Sequence, residues 1–154
     1  MNLRRATSAD VPALDAIAFA AKAHWGYAPE QLQAWREDLT VAAESLALRP
    51  TCVAEVNGLA VGFAQVATDT LPWELEALWV QPGYMGQGVG KALLAWAAEF
   101  AAARGQPELA IDADPNAEGF YRACGAQSVG SVAAPIAGHP KRVRPQLRLR
   151  ARAA

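Results

Sequence analysis

Glycines that lead into a helix are the part of this sequence whose residue types and spacing point most directly to chemistry. The stretch from Gln81 to Leu94 reads QPGYMGQGVGKALL, and Gly86, Gly88 and Gly90 alternate within it. Backbone N–H groups without shielding side chains can converge on an anion, and the positive end of a helix dipole favours one. The spacing indicates a phosphate-binding loop, although a tight turn that needs positive φ would show the same glycines.

Two common phosphate-loop patterns fail when they are tested residue by residue. A P-loop needs glycine where this chain has Met85, and serine or threonine where it has Ala92. A dinucleotide fingerprint, G-x-G-x-x-G, needs its third glycine at Lys91 or Leu93. A G-x-G-x-G loop remains, and these two kinds of nucleotide-binding enzyme become less favoured.

The loop and a second motif together resemble the acetyl-CoA-binding core of the GNAT superfamily of N-acetyltransferases. Val80-Gln81-Pro82 is similar to the V-x-P strand end of that family, and Gly88-Val89-Gly90 is similar to its loop. Asn116–Ala126, NAEGFYRACGA, resembles the family helix in which a tyrosine is followed by three residues and a glycine. The resemblance covers roughly residues 1–132 in element order, with motifs from about 74 to 126. It implies a GNAT-like acyl-CoA N-acyltransferase fold.

The resemblance implies an N-acetyltransferase that passes acetyl from acetyl-CoA to a primary amine of a small molecule or peptide. The amine would attack directly, in a ternary complex. Two rivals stay open: a non-catalytic acyl-CoA-binding sensor, and, less favoured, another nucleotide-binding enzyme. The family also leaves a homodimer open.

The residues that would bind acetyl-CoA follow from the matched motifs. Leu78, Trp79 and Val80 would supply a backbone N–H at the strand end, and the other positions implied are Gly86, Gln87, Gly88, Val89, Gly90, Lys91, Asn116 and Tyr121. The chain departs from the family at Met85, where a glutamine or arginine usually assists near the pyrophosphate. It departs again at Asp114, the usual place of an asparagine, so that Asn116 is the expected substitute.

Tyr121 occupies the position of the family's general acid, and a phenol can protonate a departing thiolate. The alternative is that Tyr121 only packs. For the base, Glu76 is favoured because it lies near the end of its strand, while Glu74, Asp112 and water stay open. Strand alternation predicts that Glu74 and Glu76 share a face with Leu78 and Val80.

The segment KAHWGYAPE, residues 22–30, lies where the resemblance places substrate contacts. Trp25 and Tyr27 would wall an amine pocket, partly by cation–π contact, or else cap the core. Glu74 is a further candidate for the acceptor side. His24 and His139 have no partners at metal-ligand spacing, so no metal is expected.

Composition is consistent with one globular domain over residues 1–154. Apolar residues make up 53% of the chain, charged residues 19%, and the net charge is −1. No apolar run approaches a membrane span, and the basic C-terminal residues lack the interleaved aromatics of a nucleic-acid module. Neither membrane nor nucleic acid is therefore expected as a partner. The C-terminal arginines favour a solvated strand face, with an acidic ligand as the alternative. Two cysteines and a polar N-terminus indicate a reduced, cytoplasmic protein.

The elements that must position these residues can be read from periodicity and turn residues. The predicted order is β-α-α-β-β-β-α-β-α-β-β, with an Asn57-Gly58 hairpin, a strand over 74–80 and a helix over 90–104. Asp114-Pro115 would start a short helix, and strands are expected near 127–132 and 146–150. This pattern predicts a mixed α/β sheet with an antiparallel N-terminal half and a central βαβ crossover.

Met85→Arg should tighten acetyl-CoA binding if the loop is correctly aligned. The substitution restores a donor near the pyrophosphate, and a charge-assisted hydrogen bond contributes roughly 1.5–3 kcal/mol. Thermal-shift titrations with acetyl-CoA on both proteins would measure the change. An unchanged affinity would mean that Lys91 or the backbone already suffices, or that the alignment is wrong.

Overall fold

The computed structural model describes residues 1–153, and these form one seven-stranded sheet with helices on both faces. The strands are β1 (Asn2–Arg5), β2 (Thr51–Val56), β3 (Leu59–Ala67), β4 (Glu74–Val80), β5 (Glu108–Asp112), β6 (Gln127–Ala133) and β7 (Val143–Arg150). The helices are α1 (Val11–His24), α2 (Pro29–Leu39), α3 (Ser45–Leu48), α4 (Val89–Ala103) and α5 (Glu118–Ala123). Short 3₁₀ turns cover Ser8–Asp10, Pro82–Tyr84 and Pro115–Ala117.

The sheet order is β1-β2-β3-β4-β5-β7-β6, and β4 and β5 form its parallel pair. The other neighbouring strands run antiparallel. Helix α4 makes the crossover between the two parallel strands, as a parallel pair requires. The predicted mixed sheet, with its antiparallel N-terminal half and central crossover, is confirmed.

Turn residues account for most of the element boundaries. Asn57 and Gly58 have φ of 52° and 78°, as a two-residue hairpin turn requires. The Asp114 carboxylate caps the turn before α5 by accepting a hydrogen bond of 2.8 Å from the Asn116 N–H. One boundary differs clearly from the prediction, because β7 starts at Val143 rather than Gln146.

Two apolar cores lie on opposite faces of the sheet. The larger contains α4 residues such as Leu93 and Ala97, together with Tyr121 of α5. The smaller packs Leu14 and Ile17 of α1 against Phe63 of β3. Because β3 is covered on both sides, its residues from 61 to 67 are all buried. No helix in the described part of the chain is both long and apolar enough to cross a membrane.

A β-bulge in β4 overturns one prediction about the acidic residues of that strand. Gln65 pairs with Ala77 while Val66 pairs with Leu75, which leaves Glu76 as the extra residue. Leu75 therefore joins the same core as Leu78 and Val80, and Ala77 and Trp79 join the other. Glu74 and Glu76 do not share one face with Leu78 and Val80, because simple alternation stops at the bulge.

Gly62→Ala should lower the free energy of unfolding by about 1–3 kcal/mol, the usual effect of overpacking. A Cβ at Gly62 would lie 3.0 Å from the Trp79 carbonyl oxygen and 3.1 Å from a Val89 methyl carbon. Urea unfolding monitored by circular dichroism would measure the loss. Gly83→Ala is the matched control, since its Cβ would meet no atom within 4 Å. Equal stabilities of the two variants would contradict the prediction.

Candidate active site

Strands β4 and β5 separate soon after they begin, and the gap between them is the basis of the site. Their register consists of the pair Glu74 and Ala110 within the described chain, supported by a 2.8 Å hydrogen bond from the Ala110 N–H to the Trp73 carbonyl. Beyond that point the facing edges of β4 and β5 are not bonded to each other. Peptide groups on these edges are therefore available to a ligand in the gap.

The direction of the peptide groups at the end of β4 can be inferred from one hydrogen bond. The Gln81 N–H donates to the Val61 carbonyl at 2.8 Å, toward β3. Because successive residues of a strand point their peptide groups to opposite sides, Trp79 also faces β3. The N–H groups of Leu78 and Val80 then face the open edge.

A cavity of about 270 Å³, here called the first cavity, fills the gap. One wall is β4 and another is the glycine loop, while the short helix α5 supplies Phe120 and Tyr121. Trp25, at the end of α1, closes one end. The cavity therefore joins the strand edge, the loop and the tyrosine motif that the sequence places far apart.

Two physical reasons account for the three alternating glycines of the loop. Gly86 and Gly88 have φ of 76° and 84°, and a Cβ at either position would meet no atom within 4 Å. At Gly90 a Cβ would press against the Phe120 ring at 3.1 Å, so this glycine permits α4 and α5 to approach. Gly88 is also the N-cap of α4, whose first N–H groups have no acceptor within the helix. The open space and these donors fit an anionic group such as a pyrophosphate.

Tyr121 is buried, with 7% of its surface exposed, and lines the first cavity. Burial raises the pKa of its hydroxyl well above the ordinary value, and the nearby charges of Cys124 and Asp114 add to the shift. The Phe120 ring packs edge to face against it, with ring centroids 5.3 Å apart. The phenol therefore stays protonated at neutral pH.

Two of the candidate bases line the first cavity, and both are bonded to an arginine. Glu76 accepts a 3.0 Å hydrogen bond from Arg49, and Asp112 accepts two from Arg144, at 2.9 and 3.2 Å. Glu74 is not among the lining residues. Burial raises the pKa of Glu74, and the charges of Glu76 and Asp112 add to the shift.

Asp114 is the centre of a buried polar cluster that the sequence did not predict. Its Oδ2 lies 2.5 Å from the Lys22 Nζ, 2.8 Å from the Tyr27 hydroxyl and 3.7 Å from an Arg142 nitrogen. The Asn116 amide donates to Asp114 Oδ1 at 2.9 Å. These five residues, Lys22, Tyr27, Asp114, Asn116 and Arg142, are called the Asp114 cluster below. It ties α1, the end of β5 and the segment before β7 together.

The cluster shifts the pKa values of its members. Burial lowers the pKa of the Lys22 amine, although the ion pair with Asp114 opposes the shift. Burial alone would raise the pKa of Asp114, but bonds from Lys22, Asn116 and Tyr27 bring it below its ordinary value. The Lys22 amine also lies 4.5 Å from the ring centre of Trp35. The ion pair, its hydrogen bonds and the neighbouring aromatic rings together stabilise the charges of Lys22 and Asp114 in this buried position.

A second cavity, of about 980 Å³, adjoins the first at Trp25 and Asn116, which line both. The loop after α1 forms one side of it, and the segment 136–142 between β6 and β7 forms the other. Tyr27 belongs to this second cavity and not to the first. Of the two predicted aromatic residues, Trp25 therefore stands where the cavities meet, and Tyr27 lies on the side of the second cavity.

Many of the predicted site residues meet around the first cavity: Trp25, Glu76, Leu78, Trp79, Val80, Gly86, Gly90, Asn116 and Tyr121. Others do not line it. Val89 is buried in the larger core, and Gln87 donates to the Gly83 carbonyl at 3.3 Å. Lys91 lines a separate groove with Cys124, Arg150 and Arg152. No group of three or more potential metal ligands occurs within residues 1–153.

Sequence reasoning missed the partners of Asp114 for a physical reason. Lys22 and Arg142 lie 92 and 28 residues from Asp114 along the chain, and no local pattern links them. Phe120 was also missed, although it precedes the matched tyrosine directly. The one available signal was that Asp114 stands where relatives carry an uncharged asparagine.

Comparison with known proteins agrees with this geometry. The sequence profile described as "Acetyltransferase (GNAT) family" matches residues 13–126. Aminoglycoside N(6')-acetyltransferase type 1 of Stenotrophomonas maltophilia is 33% identical over an alignment of 143 residues, and the match covers 85% of this chain and 89% of that protein. The crystal structure of a GCN5-related N-acetyltransferase from Rhodopseudomonas palustris has a TM-score of 0.80 at 27% identity, covering 96% of this chain and 93% of that one.

A more distant structure extends the likeness of fold. The PaiA N-acetyltransferase from Thermoplasma acidophilum, crystallised in complex with coenzyme A, has a TM-score of 0.76 at 17% identity and covers 97% of this chain and 98% of that one. The fold expected from the two motifs is confirmed.

Asp114→Asn should lower the free energy of unfolding at pH 7 by about 3–5 kcal/mol, because Lys22 and Arg142 would keep buried charges without a counter-charge. Asparagine retains the helix-capping oxygen, so the substitution isolates the charge. The folded-state pKa of Asp114 is lowered, so its contribution is present above the unfolded pKa near 3.9 and disappears as the pH falls below it.

Urea unfolding from pH 7 to pH 3 would measure this deficit, which should shrink below about pH 4. Asp112→Asn is the control, since that carboxylate pairs with Arg144 near the surface and should contribute less than about 1 kcal/mol. A deficit that does not change with pH, or that equals the control, would contradict the role of the ion pair.

Proposed function

Because the chain belongs to the GNAT family of acetyltransferases, we propose that it transfers acetyl from acetyl-CoA to a primary amine of a small molecule or peptide. The amine attacks the thioester directly while both substrates are bound. The observation that carries the proposal is the first cavity, where the free edge of β4, the glycine loop and Tyr121 meet.

The glycine loop is assigned to the pyrophosphate of acetyl-CoA. Gly86 and Gly88 leave open space where side chains would otherwise stand, and the first turn of α4 supplies unpaired N–H groups. Met85 lines the same cavity and offers no donor. Binding of the phosphates is therefore assigned to the backbone, with Asn116 in the same cavity as a predicted polar contributor and Lys91 in a separate groove as another.

The edge of β4 is assigned to the acetyl carbonyl. As the amine nitrogen bonds to the thioester carbon, negative charge develops on the carbonyl oxygen. The N–H groups of Leu78 and Val80 face the gap and are placed to donate to that oxygen. One such donor typically contributes 10²–10³ in rate, or roughly 2.7–4 kcal/mol.

Tyr121 is assigned as the general acid. The carbon–sulfur bond breaks as the amide forms, and the departing thiolate takes the proton of the Tyr121 hydroxyl. Burial keeps that hydroxyl protonated at neutral pH, so the proton is in place when the thiolate departs. The proton of the attacking amine is removed separately, by the base. After the products depart, the tyrosinate takes a proton from solvent.

Glu76 is assigned as the base that removes the amine proton, directly or through water. Of the two predicted β4 carboxylates, it is the one that lines the first cavity, and the bulge projects it from the regular strand. Its hydrogen bond from Arg49 holds the carboxylate in place. Asp112 is the alternative on β5, although two hydrogen bonds from Arg144 already occupy it.

A non-catalytic acyl-CoA sensor is the second candidate function. Two features favour it. Met85 offers no donor to the cofactor, and the candidate carboxylate bases are each bonded to an arginine. A thiol-release assay separates the two functions, since only an enzyme releases coenzyme A when an amine is added.

The acceptor amine is proposed from the name of one relative and from the aromatic residues of the two cavities. The curated relative from Stenotrophomonas maltophilia is named for aminoglycosides, which makes a small-molecule amine a reasonable starting point. Trp25 and Tyr27 line the way from the second cavity to the first, and they are proposed to contact the acceptor.

Tyr121→Phe should lower turnover by about 10²–10⁴-fold and preserve both folding and acetyl-CoA binding. The substitution removes only the hydroxyl, so packing against Phe120 is retained. Thiol release with a panel of primary amines measures turnover, and thermal shift with acetyl-CoA, NAD and ATP checks ligand binding.

Tyr84→Phe is the matched control, because Tyr84 does not line the first cavity and its turnover should not change. Unchanged turnover in Tyr121→Phe would exclude the acid role. Binding of ATP or NAD without acetyl-CoA would overturn the proposed function.

A further inference from the structure

The charges around the two cavities bear on which amines the site accepts. We propose that the acceptor is a primary amine that also carries a carboxylate, as an amino acid or a short peptide does, and that Arg142 and Lys141 recognise this carboxylate. The proposal rests on the proposed function, because it names the acceptor class of the same reaction. It also disfavours polycationic acceptors such as aminoglycosides.

The first cavity is a poor binding site for a polycation. Three carboxylates line it, and each is already bonded to a basic side chain of the protein. Arg49 binds Glu76 at 3.0 Å, Arg144 binds Asp112 at 2.9 Å, and Lys22 binds Asp114 at 2.5 Å. A second ammonium group on an acceptor would therefore compete with bonds that the fold already makes.

The second cavity has the opposite character. Two cationic residues line it, Lys141 and Arg142, against a single carboxylate, that of Glu30, within the described residues. Because the two cavities adjoin at Trp25 and Asn116, one acceptor can place its amine in the first and its carboxylate in the second.

Arg142 is the main residue proposed to bind the carboxylate of the acceptor. Its side chain is 9% exposed, and its terminal nitrogens donate to the Ala134 carbonyl at 3.1 Å and the Tyr27 hydroxyl at 3.2 Å. Its Nε is buried and has no hydrogen-bond partner within residues 1–153. Arg142 also lines the second cavity, and a carboxylate is the partner that a guanidinium binds best.

The formal charge of the Asp114 cluster supports the same class of acceptor. Lys22 and Arg142 provide two positive charges, while Asp114 provides one negative charge. Asp114 lies closer to Lys22, at 2.5 Å, than to Arg142, at 3.7 Å. The guanidinium is therefore only partly neutralised by the protein, and an anionic group in the cavity would complete its pairing.

The decisive experiment compares matched acceptors in the thiol-release assay. A dipeptide with a free C-terminal carboxylate, the same dipeptide as its C-terminal amide, and an aminoglycoside are each tested with acetyl-CoA. The free carboxylate should give a kcat/KM at least tenfold above that of the amide, mainly through KM, and the aminoglycoside should be the poorest of the three.

Variants then test which residues cause the preference. Arg142→Gln should bring the ratio of kcat/KM values for the two dipeptides close to one, while Arg142→Lys should retain part of it. Lys141→Gln removes an exposed charge of the same cavity without touching the buried cluster, so it reports a smaller loss of preference even if Arg142→Gln folds poorly. Arg104→Gln is the control, because Arg104 lines neither cavity and the ratio should stay at its wild-type value.

The outcomes separate this inference from the proposed function. Acetylation of amines with no preference for the carboxylate, or with a preference for the aminoglycoside, would overturn the inference and leave the proposed function standing. Acetyl-CoA binding without transfer to any acceptor would overturn both. A preference that survives both Arg142→Gln and Lys141→Gln would overturn the assignment of the second cavity.

Discussion

The separation of β4 from β5 is the constraint on which the rest of the site depends. A parallel pair that stayed bonded along its length would satisfy the strand edges and leave no room for a ligand. Here the pairing is limited to the start of β4, where Glu74 pairs with Ala110 of β5, and the edges beyond it face a cavity. The larger core contains Leu75 of β4 together with Leu109 and Ile111 of β5, so both strands pack into it.

Three elements converge on the gap, and each brings one kind of chemistry. The bulged strand β4 supplies peptide N–H groups and Glu76, and α4 supplies its positive N-terminus behind the glycine loop. The short helix α5 supplies Tyr121. Gly90 connects the last two elements, because only glycine allows the Phe120 ring to approach the start of α4 so closely. The glycine loop therefore serves helix packing and, in the proposed function, ligand binding as well.

The Asp114 cluster is part of a wider pattern of paired and unpaired charges around the two cavities. Acidic side chains facing the first cavity are each bonded to a basic side chain, whereas the second cavity has an excess of basic ones. Such an arrangement favours acceptors by complementarity of charge, which affects specificity more than raw affinity. The likeness to an aminoglycoside acetyltransferase therefore extends to family and fold, while the local charge favours a different acceptor class.

The sequence by itself determined the element order apart from the short helix α3, the Asn57-Gly58 hairpin, the cap at Asp114 and the two motifs, the glycine loop and the tyrosine helix. These features depend on local periodicity, turn residues and short motifs, so they can be read without tertiary contacts. Tertiary structure decided where Glu74 and Glu76 face, because a bulge depends on pairing with β3 and interrupts the alternation. It also decided the pairing of Asp114 with Lys22 and Arg142, since an ion pair between residues distant in the chain exists only after the sheet has brought their strands and helices together.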